Sequence, residues 1–360
     1  MTTKPFLVRA AWDAETLNQD RSWVVELNDS HREELLAALQ AFKRWAHERG
    51  LTAQWLHGHM APPAESFPLP TLGPILRRVQ HDLEEGYGLA QIRGVPTTGL
   101  SQRELHLLHA GICGHVGTPR QQTVFGEMVQ DLRDMGQAAL IERRGSKHNR
   151  GLPFHNDPCD VVSFLCIQPS ATGGIGQFMS SVSLHNALLA KSPEHVATLY
   201  GDFFHSYQEY LFVRTGANEA WLPKQRYYRM PTFSAAGGKF ACKYSRFYID
   251  QAQENPSVPR LSDAQRAALD ALEAEMQHPK WQLQLPYLAG DLVLINNYVC
   301  FHARTPFSDS AEQKRHMLRI WLAMPNSREL SAHWAGHVFY QRVEAGAARG
   351  GVPGPVPQYG

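Results

Sequence analysis

Residues 152–167 read LPFHNDPCDVVSFLCI, and this stretch contains the two residues from which the chemistry of the chain is predicted, His155 and Asp157. On an extended backbone, residues two apart point to the same face, so a His-x-Asp pair can bind one metal ion from the end of one strand. On a helix the same spacing would separate the two side chains by about 200°. Residues 161–167 are β-branched, aromatic and apolar, which favours the extended interpretation.

A second pair with this spacing, His31-Arg32-Glu33, is excluded by its context. Ser30 and Glu33 have the spacing of a helix capping box, so a helix is predicted to begin at Ser30. The third ligand is predicted far downstream at His302, which follows a turn and a buried strand. Two imidazoles and one carboxylate on one side of a metal leave the opposite positions open, the arrangement of non-haem Fe(II) oxygenases.

Two arginines follow the third ligand. Arg315 and Arg319 are four residues apart, so on a strand they lie on the same face. A planar guanidinium binds a carboxylate through two parallel hydrogen bonds. Such an arginine therefore suits a dicarboxylate co-substrate.

The order of these motifs resembles that of a known enzyme family. The motifs are His155-x-Asp157, Thr172-Gly173-Gly174, His302-Ala303-Arg304 and Arg315-His-Met-Leu-Arg319. Over roughly residues 85–325 the chain resembles the taurine/2,4-D dioxygenase (TauD/TfdA-like) group of Fe(II)- and 2-oxoglutarate-dependent oxygenases. The resemblance implies that the cofactors are Fe(II), 2-oxoglutarate and O₂.

The resemblance also implies a role for each site residue. His155, Asp157 and His302 would hold the iron and form the catalytic centre, and Arg315 would bind the distal carboxylate of 2-oxoglutarate. Arg319 matches a position that often meets an anionic group of the substrate.

The Gly-Gly motif region holds one further candidate and one departure from the family. Thr172 is a candidate cofactor-binding residue, although Thr172-Gly173-Gly174 is most simply a turn. After this motif the family usually carries a Thr or Ser that helps to bind 2-oxoglutarate, whereas this chain has Gly176. A hydroxyl contact is therefore missing or supplied from elsewhere.

The expected fold is mainly β with flanking helices, built on a double-stranded β-helix core of the jelly-roll or cupin type. Residues 1–84 are predicted to form a helical region packed on the core. The catalytic domain is expected at residues 85–340, with an insertion at about residues 202–280 that walls the substrate pocket. Residues 341–360 are rich in Gly and Pro and are predicted to form a flexible tail or a lid over the site.

The predicted reaction is hydroxylation of an unactivated C–H bond, with release of succinate and CO₂. Asp157 argues against halogenation, because halogenating relatives lack this carboxylate. Desaturation, epoxidation and ring formation stay open as outcomes of the same oxidant. The substrate is expected to be small and polar, such as an amino acid or an intermediate of secondary metabolism.

The composition restricts the class of partner. The chain has 35 basic and 34 acidic residues, so no net field favours nucleic acid or an anionic membrane. Five cysteines without a CxxC pair fit reduced thiols in the cytoplasm. There is no apolar signal core at the start and no run of about 18 apolar residues. We expect a cytoplasmic protein that binds small molecules, with a homodimer as one alternative for its oligomeric state.

Two other classes of function stay open. A zinc-dependent hydrolase could use the same three ligands, with activity that needs no O₂ and no role for Arg315. A non-catalytic jelly-roll binding protein would keep its ligand affinity when Asp157 is replaced by Ala. A separate zinc pair at His333 and His337 is disfavoured, because no Glu follows His333 and Gly336 weakens a helix there.

Several local features complete the prediction. Ser101 and Ser262 each begin a capping box, and a strand is expected over residues 177–182. Cys159 and Cys300 each lie two residues from a proposed ligand and are predicted to be small buried hydrophobes, with soft metal neighbours or oxidation targets as the alternative. The basic residues near the metal motif are a candidate entrance loop for an acidic substrate, or an ordinary solvated loop. They are Arg143, Arg144, Lys147 and Arg150.

Overall fold

The structure, a computed structural model of the chain, describes residues 4–51, 61–136, 147–213 and 222–352. Within these ranges the α-helices are α1 (Ala14–Gln19), α2 (Asp29–Glu48), α3 (Leu72–Glu85), α4 (Gln102–Gly114), α5 (Ser181–Lys191), α6 (Pro193–Leu199), α7 (Arg246–Ala252) and α8 (Asp263–Met276). The strands are β1 (Val24–Glu26), β2 (Leu89–Arg93), β3 (Thr118–Arg120), β4 (Val129–Leu132), β5 (Leu152–His155), β6 (Val161–Gln168), β7 (Thr172–Gly173), β8 (Gly176–Ser180), β9 (Asp202–Ser206), β10 (Tyr227–Pro231), β11 (Phe233–Ala236), β12 (Lys239–Cys242), β13 (Leu283–Leu285), β14 (Leu292–Asn296), β15 (Cys300–Arg304), β16 (Phe307–Ser308) and β17 (His316–Ala323).

The larger sheet has seven strands in the order β1-β2-β14-β6-β17-β3, with β4 also paired to β17. Strand β14 is buried at all five positions, because both faces of the sheet are covered. Leu292 and Leu294 pack with helices α2, α3 and α4 on one face. Val293 and Ile295 point the other way, into the core shared with the smaller sheet. The continuous apolar run in the sequence therefore reflects a sheet between two layers.

The smaller sheet is antiparallel and has four strands in the order β13-β8-β15-β5. Its register places His302 of β15 directly opposite His155 of β5 and opposite Phe178 of β8. Phe178, Met179 and other apolar residues of this sheet share one hydrophobic core with the larger sheet. The pairing of β5 with β15 thus brings together two histidines that are far apart in the chain.

Three sequence predictions about this architecture need correction. Helical residues outnumber strand residues among those described, so the chain is mixed in content and not mainly β. Asp157 does not share a strand with His155, because β5 ends at His155, whereas residues 161–167 do form strand β6 as predicted, in the larger sheet. Helix α2 begins at Asp29, because the Asn28 side chain accepts from the backbone N–H of His31 and forms the capping box ahead of Ser30.

The other local predictions fare better. Ser101 and Ser262 both form the predicted capping boxes, with Glu104 and Gln265 as partners. Strand β8 ends at Ser180, two residues earlier than predicted, because the Ser180 hydroxyl accepts from the N–H of Ser183 and begins helix α5. Cap signals act over three or four residues, so the sequence alone reveals them.

The two ends of the chain pack against the sheets. Strand β1 pairs in parallel with β2, so the N-terminal region adds a strand to the larger sheet. At the other end, Arg349 is buried and donates to Asp160 Oδ1 at 2.8 Å. Gly350 has a φ of +79°, and a Cβ there would lie 2.8 Å from the Cα of Cys159. The described part of the Gly/Pro-rich segment, up to Val352, is therefore packed on the core and is not a free tail, and residues 353–360 lie outside the described ranges.

One further property concerns the helices. Among the helices that the structure describes, none combines the length and the apolar content needed to cross a bilayer.

Acid is expected to destabilise the fold through His109 on α4. The ring is fully buried, its Nε2 lies 2.8 Å from the Ser163 hydroxyl on β6, and burial lowers its pKa to about 3. Above the pKa of about 6.5 that this histidine has in the unfolded chain, it is neutral in the folded and the unfolded state, and its titration does not change the free energy of unfolding. As the pH falls toward 3, only the unfolded chain takes up the proton, so at pH 5 the free energy of unfolding should drop by about 2 kcal/mol from this group.

Urea unfolding at pH 7.5 and pH 5.0 measures this loss. In His109→Gln the difference in free energy between the two pH values should shrink by that amount. Ser163→Ala is the matched control: it removes the hydrogen bond but not the titrating ring, so it should lower stability at both pH values and keep the difference. An unchanged difference in His109→Gln would contradict the assignment.

Candidate metal centre

The three predicted ligands meet at the open end of the smaller sheet. His155 is the last residue of β5, Asp157 follows in the turn, and β15 brings in His302. One ligand atom from each residue lies within 4.8 Å of the other two, and they form the one cluster of this kind among the described residues. The imidazole rings of His155 and His302 have centroids 4.3 Å apart.

The turn that carries Asp157 is held by Asn156, the residue between the two ligands. The Asn156 side-chain amide donates to the carbonyls of Asn297 at 2.7 Å and Cys300 at 2.9 Å, and its Oδ1 accepts from the Tyr244 N–H at 2.9 Å. The Asp157 N–H in turn donates to Asn297 Oδ1 at 3.0 Å. These bonds attach the turn to the segment that leads into β15. The position of Asp157 relative to His302 is therefore fixed.

Hydrogen bonds also orient the ligands themselves. His155 Nδ1 lies 2.8 Å from the Pro153 carbonyl, which leaves Nε2 free of the backbone. Asp157 Oδ2 accepts from Trp321 Nε1 at 2.9 Å and from the Arg319 guanidinium at 3.2 Å. Its other oxygen, Oδ1, faces His155 Nε2 at 4.0 Å. Contacts of this kind fix ring tautomers and carboxylate orientation at metal sites.

The electrostatics suit a cation. Burial is the main cause that lowers the pKa of His302 to about 3, and it also lowers the pKa of His155, so both imidazoles are neutral. Burial opposes ionisation of Asp157, but the charge of Arg319, the two histidines and the hydrogen bond from Trp321 together outweigh it, and the net pKa is lowered. His302 Nδ1 is buried without a hydrogen-bond partner among the described residues. Two neutral imidazoles and one carboxylate are the donor set of a divalent iron site.

A cavity beside the histidines is lined by three arginines, of which Arg304 and Arg315 keep donors that no described residue meets. Arg315 on the approach to β17 and Arg304 at the end of β15 both line it, together with His155 and His302. Both arginines are buried, and Arg304 Nε and an Arg315 terminal nitrogen have no partner among the described residues. Burial and the charge of Arg315 lower the pKa of Arg304 to about 9. Two buried cations with unmet donors favour an anionic ligand in this cavity.

The remaining predicted site residues lie in different surroundings. Arg319 lines the cavity, but its guanidinium already donates to Asp157 Oδ2 at 3.2 Å and, from Nε, to Gln122 Oε1 at 2.8 Å. Thr172 is exposed on the two-residue strand β7, opposite Ser308, and is not among the residues that line the cavity. Gly174 does pack against Arg315: a Cβ there would lie 3.3 Å from its Nε. The roles predicted for Arg319 and Thr172 stay predictions.

Sequence reasoning missed three residues of the site. Arg304 stands two residues after His302, so strand periodicity already places it on the same face and could have revealed it. Trp321, the donor to Asp157, stands two residues after Arg319, so the same periodicity places it on the face of that candidate. Tyr287, which lines the cavity, has no comparable signal and reaches the site only through the packing of distant segments.

The other candidates do not join the site. Cys159 and Cys300 are buried free thiols whose pKa is raised by burial, in agreement with their prediction as buried hydrophobes. His333 lies 3.2 Å from Asp202, whereas His337 is buried among aromatic rings, so the two histidines do not form a metal pair. Of the predicted entrance loop, Arg143 and Arg144 lie outside the described residues.

A three-residue metal centre beside a cationic cavity is typical of mononuclear non-haem iron enzymes with an organic anion as co-substrate. The chain belongs to the taurine catabolism dioxygenase TauD, TfdA family, which matches residues 49–321. It is therefore a non-haem Fe(II)- and 2-oxoglutarate-dependent dioxygenase that uses O₂. The zinc hydrolase and the non-catalytic binding protein have no support from this family.

Two relatives match most of the chain. FR-33289 synthase of Streptomyces rubellomurinus is 29% identical over 354 residues, covering 95% of this chain and 97% of that protein. Taurine hydroxylase-like protein SAT17 of Stachybotrys chartarum is 26% identical and covers 86% of this chain and 77% of that protein.

Solved structures share the fold. An asparagine oxygenase in complex with Fe(II), 2S,3S-3-hydroxyasparagine and succinate has a TM-score of 0.60 at 20% identity, covering 83% of this chain and 93% of its own. The non-heme iron oxygenase OrfP in complex with Fe, succinate and (3S)-hydroxy-L-Arg also has a TM-score of 0.60, at 16% identity and the same coverage.

Proposed function

We propose that this dioxygenase hydroxylates an unactivated C–H bond of a small polar substrate, an amino acid or a natural-product intermediate. His155, Asp157 and His302 would hold Fe(II), and Arg315 would bind the distal carboxylate of 2-oxoglutarate. The observation that carries the proposal is the single cavity in which the histidines of the triad and two buried, incompletely bonded arginines meet. Such an arrangement suits one anion that reaches from the metal to the guanidinium groups.

When bound, the iron with 2-oxoglutarate and O₂ supplies the oxidant, and succinate and CO₂ are the co-products. The contribution of the chain is to place and protect the reacting groups. Trp321 and Arg319 hold one oxygen of Asp157, so the other is presented to the metal. Phe164 and Phe178 line the cavity with apolar surface and limit access of water.

The substrate class draws support from the relatives. The two structural neighbours contain hydroxylated amino acids, 3-hydroxyasparagine and 3-hydroxy-arginine. Desaturation, epoxidation and ring formation remain alternative outcomes of the same chemistry. Desaturation and ring formation remove two hydrogens and so differ from hydroxylation in the mass of the product. Epoxidation of an alkene adds one oxygen, as hydroxylation does, and is separated from it by the NMR spectrum of the product.

A buried lysine supports an anionic group on the substrate. Lys243 is buried and donates from Nζ to the Asn156 carbonyl at 2.7 Å, between the two ligands of the motif. It forms no ion pair with any described residue, and burial lowers its pKa to about 8. Arg319, which the sequence predicts to bind the substrate anion, is already bound to Asp157. Lys243 is therefore a second candidate residue for binding that anion.

The two packed sheets support the double-stranded β-helix, and we retain the predicted division into an N-terminal region (1–84), a catalytic domain (85–340) with an insertion at about 202–280, and a C-terminal segment (341–360). The five free, buried cysteines support a cytoplasmic location. A homodimer stays one alternative for the assembly.

Two measurements test the function. Anaerobic addition of 2-oxoglutarate to the Fe(II)-loaded protein should produce the weak visible charge-transfer band of a chelated complex. Incubation in air with a panel of amino acids and anionic natural-product precursors should then release succinate in proportion to a product that is heavier by one oxygen. A protein that binds Fe(II) but never develops the band would overturn the proposal, and a product lighter by two hydrogens would replace hydroxylation by desaturation.

A further inference from the structure

Tyr287 is the one hydroxyl-bearing side chain among the described residues that line the cavity of the two arginines. It stands two residues after β13, whose last residue, Leu285, pairs with Gly176 at the start of β8. This pairing brings the Tyr287 ring over Gly176. Apart from the imidazoles of the two proposed ligands, His155 and His302, the other uncharged side chains that line the cavity are apolar. Tyr287 is therefore the one neutral hydrogen-bond donor of the lining that is not a proposed metal ligand.

Gly176 makes room for this ring. A Cβ at position 176 would lie 2.8 Å from Tyr287 Cε2 and 3.0 Å from its hydroxyl oxygen. A Thr or Ser at this position would therefore displace the tyrosine. The absence of a side chain at position 176 is therefore what allows the Tyr287 ring to enter the cavity.

The state of Tyr287 suits a donor to an anion. Burial, only partly offset by the charge of Arg315, raises the pKa of its hydroxyl well above its ordinary value, so the proton is retained. Arg315 lines the same cavity, packs against Gly174 and keeps an unpartnered nitrogen. A carboxylate placed between the two side chains would accept from both a guanidinium and a phenol.

We propose that Tyr287 donates its hydroxyl hydrogen to the carboxylate of 2-oxoglutarate that Arg315 binds, and that Gly176 is the residue that admits it. This inference rests on the proposed function of the cavity. Tyr287 thereby supplies the hydroxyl contact that position 176 lacks.

The test is calorimetric binding of 2-oxoglutarate to the protein loaded with Mn(II), which needs no turnover. Tyr287→Phe keeps the ring and removes one hydrogen bond to a charged group, so the Kd for 2-oxoglutarate should rise about 10- to 100-fold. The Kd for 2-oxopentanoate, which has a methyl group in place of the distal carboxylate, should not change. A general disturbance of the site would weaken both ligands equally and would overturn the proposal.

A pair of double variants provides the matched control. Tyr287→Ala removes the ring that a side chain at position 176 would meet first, and leaves Phe178 Cε2 at 3.1 Å from the Cβ. Gly176→Thr and Gly176→Val, each added to this variant, meet Phe178 equally, and Val has the shape of Thr without its hydroxyl. The Thr double variant should bind 2-oxoglutarate about tenfold more tightly than the Val double variant. Equal affinities in this pair, together with an unchanged Kd in Tyr287→Phe, would overturn the proposal.

The outcome for the wild-type protein separates this inference from the proposed function. If the wild type binds no 2-oxoglutarate, both are overturned. If it binds 2-oxoglutarate and Tyr287→Phe binds it equally well, the function stands and only the role of Tyr287 is lost.

Discussion

Replacement of Asp157 by Ala is expected to lower the affinity for Fe(II) by more than about 100-fold, since even the loss of a residue that only supports a metal ligand costs about 10- to 100-fold. The variant removes the one carboxylate of the triad and leaves two neutral imidazoles. It also leaves the buried guanidinium of Arg319 without its partner, so the cavity becomes more positive and still less favourable for a cation.

Anaerobic titration with Fe(II), with Mn(II) as a stable substitute, measures this affinity. Asp263→Ala, which removes an exposed carboxylate at the start of α8, is the control and should bind metal like the wild type. Trp321→Phe provides a graded case, because it removes only the hydrogen bond to Asp157 Oδ2 and should weaken metal binding by about 10- to 100-fold. Metal affinity that survives in Asp157→Ala would rule out this triad as the iron site.

Replacement of Arg315 by Met is expected to raise the Kd for 2-oxoglutarate by about 30- to 1000-fold, the equivalent of about 2–4 kcal/mol, while Fe(II) binding is retained. The reason is the loss of a buried guanidinium that has an unmet donor in the cavity. Arg315→Lys keeps the charge but not the planar pair of donors, so its Kd should lie between those of the wild type and the Met variant. The charge-transfer band, followed as 2-oxoglutarate is added, gives each Kd.

The stability of the metal-free protein separates a binding role from a structural one. Arg304 lies in the same cavity, and the charge of Arg315 contributes to the lowered pKa of Arg304. Removal of Arg315 relieves this repulsion, so the melting temperature of the metal-free Arg315→Met variant should not fall below that of the exposed-site control Arg266→Met. A large fall in melting temperature with an unchanged Kd would mean that Arg315 supports the fold and not the co-substrate.

Several cationic side chains are buried at or near this site. Arg304, Arg315 and Lys243 are each held with few or no charged partners among the described residues, which costs stability in the absence of ligand. Anions that enter the site would offset this cost. We therefore expect the free energy of unfolding to be lower without ligand and to rise when an anion binds at the site.

The sequence by itself determined the features that depend on local spacing. The His-x-Asp spacing and the strand predicted before His302 identified His155, Asp157 and His302, and these three residues do meet, although Asp157 lies in the turn beyond β5. Capping boxes at Ser101 and Ser262 located two helix starts, since a cap involves only three or four neighbouring residues. Where two caps compete within this distance, as Asn28 and Ser30 do, the sequence pattern chose the wrong one.

Only the tertiary structure decided how distant segments share the site. The pairing of Arg319 with Asp157 spans 162 residues of sequence, and the contact from Trp321 to the same carboxylate spans 164. The approach of Tyr287 to Gly176 depends on the pairing of β13 with β8. Strands β5 and β6 are neighbours in the chain but pair with strands of two different sheets. Such contacts follow from the packing of whole layers, which no spacing of a few residues encodes.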